Sequence, residues 1–340
     1  MSLMDDQPLV SVIIPTYNRA NLVSDAIKSV LRQTYKKFEL IIVDDHSSDN
    51  TAQVVGNIND SRIRYFCHSE NLGGSAARNT GIDKSQSELI AFLDSDDIWF
   101  PQKLERQLNT IDDSNINQLS LVYCGKVSIN IDNSGKVRRS TPKEKGLIHK
   151  DLLYRNVIGS LSGVLVKKAP LLEVGGFQES LKSEQDWDFY LRISKQYKVD
   201  YTDSILYLKR NHNNNITSNL KLKFQNFYEY KPTLYNFIDE CETCKIYDKL
   251  KAKSLYSFRM GRKICEATSL REEFVLSLKA FLLLLKSFFL FPFSYYPIFT
   301  LPTIFLSERS TEKYFCLFSS IKQKSLNLFL IVKQIMFKSD

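Results

Sequence analysis

Short apolar runs alternate with segments of helical spacing over the first third of the chain. The runs Leu9–Pro15 and Phe38–Val43 are continuous and rich in β-branched residues, which predicts strands buried on both faces. Between them, Asn21–Gln33 has apolar residues at helical spacing, with Asn21 as the N-cap. The same order continues with a helix at Thr51–Ile58, a strand at Ile63–Phe66, a helix from Ser75 to about Lys84 and a strand from Leu89. This alternation predicts an α/β fold with a doubly wound, mostly parallel sheet flanked by helices.

The alternation of strands and helices becomes less regular beyond Pro101. A strand is expected within Leu119–Ile131, a second β-prone run at Gly159–Val166 and a helix with an apolar face at Trp187–Ser194. From about Leu220 the chain consists of long, Lys-rich helical stretches. We therefore expect a domain over residues 1–220, with halves at about 1–110 and 111–220, and a helical, basic and aromatic appendage at 221–340.

The segment 274–307 is the most apolar part of this appendage. Phe274–Leu285 is interrupted by Lys279, and Ser287–Ser307 has no charge but contains three prolines. The length could span a bilayer, yet the prolines and aromatic residues fit an interfacial segment better. We expect it to contact a membrane surface. Packing on the rest of the chain or on a second subunit, and a true span, are the alternatives, and a homo-oligomer is left open.

Composition and charge narrow the class of protein. The chain is 43% hydrophobic and 25% charged, which is typical of globular proteins and argues against disorder. Its net charge of +8 is uneven, with −4 over residues 1–110 and +8 over residues 221–340. The acidic part is typical of a metal-binding cleft, and the basic part could attract an anionic surface. Nucleic acid is not an expected partner, because no recognised nucleic-acid motif accompanies the basic residues.

The cysteine content and the start of the chain bear on location. Six cysteines in 340 residues suggest a reducing compartment, and Met1–Val10 is polar and acidic where a secretory signal would be apolar. We expect a cytoplasmic protein, peripheral on the inner face of the cytoplasmic membrane if segment 274–307 binds lipid.

The strand that begins at Leu89 ends in an acidic segment, Asp94-Ser95-Asp96-Asp97. Ligands of open α/β sheets bind at the carboxyl ends of the strands, and alternate residues of an extended segment point the same way. Asp94 and Asp96 can therefore face one ligand. Carboxylates this close repel one another unless a cation relieves them, and Mg²⁺ prefers such oxygen ligands. A solvated acidic turn is the alternative.

Three further polar segments follow strands or precede a helix: Pro15-Thr16-Tyr17-Asn18-Arg19, Val43-Asp44-Asp45-His46-Ser47-Ser48-Asp49 and Asn71-Leu72-Gly73-Gly74-Ser75-Ala76-Ala77-Arg78-Asn79. With the aspartates, this ordered set resembles the inverting glycosyltransferases of family 2, which have the GT-A fold and use nucleotide-diphosphate sugars. Gly175-Gly176-Phe177, Gln185-Asp186-Trp187-Asp188 and Arg210-Asn211-His212 extend the resemblance, which covers residues 9 to roughly 220. It implies a nucleotide-sugar half at about 1–110 and an acceptor half at about 111–220.

The resemblance implies a set of donor-binding residues: Pro15, Tyr17, Asn18, Arg19, Asp45, Asn71, Arg78, Asp94, Ser95 and Asp96. The Tyr17 ring would stack on a nucleobase, Asp45 would accept the imide N–H of uracil, and Arg78 would contact phosphate. The alternatives are a strand-capping aromatic at Tyr17, a helix N-cap at the Asp44-Asp45 pair and a plain glycine turn before Arg78.

The resemblance also implies a metal site and a catalytic base. Asp96, supported by Asp94, Asp97 and His212, would hold Mn²⁺ or Mg²⁺, with an uninvolved surface histidine as the alternative. Inverting transfer needs a base for the acceptor hydroxyl, and the matching position is Asp186. Gln185, Trp187 and Asp188 would support the acceptor, with Asp188 as the fallback base. Gln185 stands where the family usually has Glu. Helix-start carboxylates without a catalytic role are the alternative.

These expectations combine into a metal-dependent hexosyltransferase. It would move a sugar from a nucleotide-diphosphate donor, a UDP-sugar, to a saccharide or lipid-linked saccharide in surface polysaccharide synthesis. A nucleotide-sugar-binding protein without catalysis is the alternative that the Gln185 change permits. A sugar nucleotidyltransferase ranks lower, because such enzymes generally have a glycine-rich, basic loop where this chain has Pro15–Arg19.

Overall fold

One mixed β-sheet is the centre of the computed structural model, which describes residues 9–131, 137–211 and 220–265. Its strands are β1 (Val10–Thr16), β2 (Phe38–Asp44), β3 (Ile63–Cys67), β4 (Leu89–Phe92), β5 (Ile98–Trp99), β6 (Leu119–Asn130), β7 (Arg138–Ser140), β8 (Val164–Lys167) and β9 (Lys198–Asn211). The helices are α1 (Ala20–Leu31), α2 (Thr51–Gly56), α3 (Gly74–Lys84), α4 (Lys103–Asp113), α5 (His149–Tyr154), α6 (Lys168–Glu173), α7 (Gln185–Ile193), α8 (Leu220–Glu240) and α9 (Ile246–Cys265). A 3₁₀ turn at Leu161–Gly163 precedes β8.

The strand order is β3-β2-β1-β4-β8-β6-β9-β5, with β7 paired to β6. The first four of these strands are parallel, as the alternation of strands and helices predicts. β8 then runs antiparallel to both β4 and β6, and β9 runs parallel to β6. The predicted α/β class is confirmed, and the second half of the sheet is mixed. The short run at Gly159–Val166 predicts a strand but carries no signal of its direction.

The parallel half of the sheet is buried on both of its faces. Every residue of β1, β2 and β4 is buried, which is typical of strands covered by helices on each side. α3 packs closely against β1, since a Cβ atom at Gly81 would lie 2.4 Å from Cγ2 of Ile13. This packing fixes the carboxyl ends of the central strands along one edge.

The start of α1 differs from the prediction. Asn21 is not the N-cap, because the helix begins at Ala20. The Arg19 N–H instead donates a hydrogen bond to Thr51 Oγ1 at 3.0 Å, and the Ala20 N–H donates to Asp49 Oδ2 at 3.1 Å. Side chains from the loop after β2 and from the first residue of α2 thus take the place of a local N-cap.

The chain divides into two compact units, residues 1–241 and 242–340. α8 belongs to the first unit and α9 to the second. Among the described residues, no helix combines the length and apolar character needed to cross a membrane. Segment 274–307 lies outside the described residues, so its contact with a membrane stays a prediction.

Candidate active site

A tight acidic turn follows β4 at the carboxyl edge of the sheet. Asp94, Asp96 and Asp97 each offer a carboxylate oxygen, and these oxygens lie within 4.8 Å of one another. The Asp97 N–H donates to the Asp94 carbonyl at 2.9 Å, which closes the turn. Three oxygens at this spacing suit a hard divalent cation. The structure thus brings together three of the predicted metal ligands, while His212 lies outside the described residues.

Side chains from the second half of the sheet hold this turn in place. The buried Asp97 carboxylate accepts from Ser162 Oγ at 2.6 Å and from the Arg210 N–H at 3.2 Å. Asp94 accepts from Ser160 Oγ at 3.1 Å, and its N–H donates to Ser162 Oγ at 3.2 Å. The 3₁₀ turn before β8 is therefore part of the site.

The carboxylates of the turn differ in their affinity for protons. Burial, followed by repulsion from Asp94, raises the pKa of Asp97 to about 7. Burial alone would also raise the pKa of Asp94, but the positive charges of Arg78 and Lys209 hold it below its ordinary value. Asp94 is therefore ionised at neutral pH, while Asp97 exchanges its proton near pH 7.

Arg78 connects this turn to the start of α7. Its Nη2 donates to Asp94 Oδ1 at 2.9 Å, and its Nη1 donates to Gln185 Oε1 at 3.0 Å. The guanidinium also lies 5.8 Å from the centre of the Phe177 ring. Its Nε is buried and has no hydrogen-bond partner among the described residues. The predicted contact of Arg78 with phosphate would add to these protein contacts.

Asp186 lies in the first turn of α7 and is half-buried. Its carboxylate accepts from the Trp187 N–H at 2.7 Å and from Asn156 Nδ2 at 3.3 Å. Burial, with a further contribution from Asp94, raises the pKa of Asp186 above its ordinary value. A carboxylate with a raised pKa is a better general base than an exposed one, so the environment of Asp186 suits its predicted role.

The two residues that follow Asp186 anchor α7 to the rest of the protein. Asp188 is 2% exposed and pairs with Arg192 at 2.7 Å, while the buried Trp187 donates from Nε1 to the Leu152 carbonyl at 2.8 Å. Both side chains are directed into the protein. Their predicted contacts with an acceptor, and the use of Asp188 as a fallback base, stay predictions.

The loops after β1 and β2 are joined through Asn18. Asn18 has a φ of 50°, and its Oδ1 accepts from the backbone N–H groups of Ser48 at 2.8 Å and Asp49 at 3.3 Å. Pro15 is buried within β1, Arg19 is half-buried, and Tyr17 is 45% exposed. An exposed ring beside a fixed loop can receive a flat base.

Asp45 closes the glycine turn before α3. Its buried carboxylate accepts from the N–H groups of Leu72 at 2.9 Å and Gly73 at 2.7 Å, and it contacts His68 Nδ1 at 2.8 Å. Asn71 Nδ2 donates to the Asp45 carbonyl at 3.2 Å. A contact with uracil would come in addition to these bonds and stays a prediction. His68 was not among the predicted site residues, and its signal in the sequence is its place three residues before Asn71.

Two lysines near the aspartates were also missed. Burial would lower the pKa of Lys209 on β9, but Asp97, Asp94, Asp186 and Asp96 together raise it. Lys126 on β6 has a lowered pKa, because burial and the charge of Lys209 outweigh the carboxylates. The signal for Lys209 was its position directly before the Arg210-Asn211-His212 segment. Lys126 lies outside every segment that carries the family resemblance.

Comparisons with known proteins show which family this chain resembles. A family model described as Glycosyl transferase family 2 matches residues 11–169. WfgD of Escherichia coli, a UDP-Glc:alpha-D-GlcNAc-diphosphoundecaprenol beta-1,3-glucosyltransferase, is 37% identical over 196 residues, 58% of this chain and 73% of its own length. WcaA of Escherichia coli K12, a putative colanic acid biosynthesis glycosyl transferase, is 34% identical over 243 residues, 67% of this chain and 81% of its own length. The chain spans only 34% and 36% of the length of two uncharacterised glycosyltransferases of Rickettsia felis and Rickettsia conorii.

A solved structure shares the fold. TarS 1-349 of S. aureus, in complex with UDP-GlcNAc, superposes with a TM-score of 0.61 at 20% identity, covering 83% of this chain and 81% of that chain. This likeness confirms the GT-A fold that the motifs imply. Because two relatives exceed 30% identity over more than two thirds of their own length, this chain belongs to glycosyl transferase family 2.

Proposed function

We propose that this chain is a metal-dependent, inverting glycosyltransferase. It transfers a sugar from a UDP-sugar to a hydroxyl of a saccharide or lipid-linked saccharide in surface polysaccharide synthesis. The observation that carries the proposal is the link made by Arg78, which contacts both Asp94 of the acidic turn and Gln185, the neighbour of Asp186. One side chain thus links the candidate cation site to the residue that precedes the candidate base.

The donor binds along the carboxyl edge of the sheet in this proposal. Tyr17 stacks on the base, and the turn fixed by Asp45 approaches the nucleotide. Asp94, Asp96 and Asp97, with His212, would hold Mn²⁺ or Mg²⁺, since carboxylate oxygens within 4.8 Å are a fitting donor set. When bound, the cation would supply positive charge that stabilises a departing diphosphate.

Asp186 takes the proton of the acceptor hydroxyl as that oxygen attacks the anomeric carbon. The new carbon–oxygen bond forms on the face opposite the bond that breaks, so the configuration inverts, and the diphosphate leaves with the bonding electrons. Asn156 donates to Asp186 Oδ2 and orients the carboxylate. The raised pKa of Asp186 favours proton transfer from a weakly acidic hydroxyl.

The names of the relatives support the substrate class. WfgD is named for a UDP-Glc donor and a diphosphoundecaprenol acceptor, and WcaA for colanic acid biosynthesis. TarS has been solved with UDP-GlcNAc. We further propose that this chain works in the cytoplasm at the inner face of the membrane, where a lipid-linked acceptor is within reach. Flotation of the full chain with anionic liposomes tests this, and its absence from the floating fraction would reject it.

A transfer assay tests the central proposal. Radiolabelled UDP-sugars are incubated with lipid-linked saccharides and Mn²⁺ or Mg²⁺, using the wild type, Asp186→Asn and Asp96→Asn. The exposed residue Asp83 supplies the control Asp83→Asn. Asp186→Asn should lose a factor of about 10² or more in transfer yet keep the thermal stabilisation by UDP. Asp96→Asn should lose the part of that stabilisation that depends on the cation. UDP binding by the wild type without transfer from any donor would favour a nucleotide-sugar-binding protein instead.

A further inference from the structure

Lys126 and Lys209 occupy neighbouring strands on the acceptor side of the sheet. In the register of β6 and β9, Lys126 pairs with Tyr207 and Ser128 pairs with Lys209. Residues two apart on a strand point to the same face. The two lysines therefore project from the same face of the sheet on adjacent strands, offset by two residues in the register.

The Lys126 ammonium lies beside the loop that orients Asp186. A Cβ atom at Gly159 would be 3.3 Å from Lys126 Nζ, so the missing side chain makes room for the ammonium. The Gly159 N–H donates to Asn156 Oδ1 at 2.7 Å, and Asn156 Nδ2 donates to Asp186 at 3.3 Å. One short loop thus contacts both the lysine and the candidate base.

Lys209 interacts electrostatically with the same group of carboxylates. The next residue, Arg210, donates its N–H to Asp97 Oδ1 at 3.2 Å, which ties this part of β9 to the acidic turn. The carboxylates of Asp94, Asp97 and Asp186 act on both lysines. They do not fully compensate Lys126, since burial and Lys209 still lower its pKa. A further anion between the two lysines would be stabilised by both.

We infer that Lys126 and Lys209 form an anion subsite beside Asp186 that binds phosphate oxygens of a substrate diphosphate. Lysine binds phosphate as a point charge, and two lysines on adjacent strands can contact the two phosphates of one diphosphate. The inference rests on the proposed function, in which the diphosphate belongs either to the nucleotide donor or to a lipid-linked acceptor. Both sources share the same chemistry.

Calorimetric titration of the full chain with UDP and with inorganic pyrophosphate tests the subsite. The variants are Lys126→Met and Lys209→Met, with Lys126→Arg and Lys209→Arg to restore the charge. Lys198→Met on β9 is the control. We expect each methionine variant to bind at least one of the two ligands about tenfold or more weakly, because each loses a charge-assisted hydrogen bond. The arginine variants should recover much of the affinity, and Lys198→Met should match the wild type.

The pattern of losses identifies the source of the diphosphate. Weaker UDP binding, with pyrophosphate displaced by UDP, assigns the lysines to the donor. Unchanged UDP binding, with weaker pyrophosphate binding to the UDP-saturated protein, assigns them to the acceptor. Affinities for both ligands within twofold of the wild type in both methionine variants would overturn the subsite. Failure of the proposed function has a different signature, since the lysine-dependent affinities would persist while no sugar is transferred.

Discussion

Arg78 Nη1 donates a hydrogen bond of 3.0 Å to Gln185 Oε1, joining two residues that lie 107 positions apart in the chain. The same guanidinium donates to Asp94 Oδ1 at 2.9 Å. The glutamate that is usual in the family at this position would put a second carboxylate against Arg78. With glutamine at position 185, Arg78 forms an ion pair with Asp94, and the Gln185 amide oxygen still accepts a hydrogen bond from Arg78.

Gln185→Leu should lower the free energy of unfolding by about 1–3 kcal/mol, because it removes an acceptor of the largely buried Arg78 and the Nε2 donor to the Leu181 carbonyl at 2.7 Å. Urea denaturation measures the change. Gln185→Glu is the matched variant, since it loses the same donor to the Leu181 carbonyl but keeps an acceptor for Arg78, and it should stay closer to the wild type than Gln185→Leu. Equal stability of the two variants would show that this hydrogen bond contributes nothing.

The pH dependence of transfer should report the raised pKa of Asp186. The base acts only when ionised, so kcat/KM falls as the pH drops through its pKa, and the fall should occur above pH ~4, the value for an exposed aspartate. Lys209 lowers this pKa, so Lys209→Met should shift the acid limb of the profile upward. Lys198→Met should leave it in place. An unmoved limb in Lys209→Met would argue against Asp186 as the base.

Asp45→Asn should destabilise the glycine turn before α3. An asparagine offers one acceptor oxygen where the carboxylate accepts from Leu72, Gly73 and His68, so one N–H is left facing an NH₂ group. We expect a loss of about 2 kcal/mol in the free energy of unfolding, together with weaker UDP binding. Asp83→Asn, at an exposed position of α3, should change neither quantity. Wild-type stability of Asp45→Asn would contradict this account of the turn.

Two glycines give opposite predictions for the same substitution. Gly81→Ala puts a Cβ atom 2.4 Å from Ile13 and should cost about 1–3 kcal/mol through overpacking of α3 against β1. Gly56→Ala, in α2, meets nothing within 4 Å and should stabilise the protein by about 0.4–1 kcal/mol. Thermal denaturation of both variants measures the difference. A change in stability of the same sign in both variants would contradict the close packing of α3 against β1.

Lys103→Met should stabilise the protein at low pH more than at high pH. Lys103 is fully buried, with Nζ 3.8 Å from the centre of the Trp99 ring, and burial lowers its pKa from 10.5 to about 7. Between these two pH values Lys103 is protonated in the unfolded chain and neutral in the folded protein. The free energy by which Lys103 destabilises the fold therefore decreases as the pH rises from 7 to 10.5.

The gain in Lys103→Met should therefore be greatest below pH 7 and shrink towards pH 10. Urea midpoints of both proteins at pH 6, 8 and 10 measure it. A difference that does not vary with pH would show that Lys103 titrates normally in the folded protein.

The parallel half of the sheet could be predicted from the sequence because the buried strands β1, β2 and β4 have mostly apolar sequences. The acidic turn followed from the same pattern, since the residues after β4 had to emerge at the carboxyl edge. Both features depend on neighbours in sequence, which is what a periodic pattern records.

The other features of the fold and the site depend on contacts between residues that are distant in sequence. The direction of β8, the bond between His68 and Asp45, and the approach of Lys126 to Gly159 arise only when separate segments meet. Lys126 stands in no motif, because a lysine on a half-buried strand looks the same whether it faces water or a carboxylate. His212 and segment 274–307 remain predictions from sequence alone.

Ser162 lies in the expected acceptor half, residues 111–220, yet its hydroxyl donates to Asp97 and accepts from the backbone N–H of Asp94. A chimaera that grafts the acceptor half of a relative onto the first 110 residues of this chain would exchange that hydroxyl along with everything after it. The acidic turn would then lose its support unless the incoming sequence also carries a serine there. Recombination between members of this family should therefore succeed more often when the crossover falls after β8 than before it.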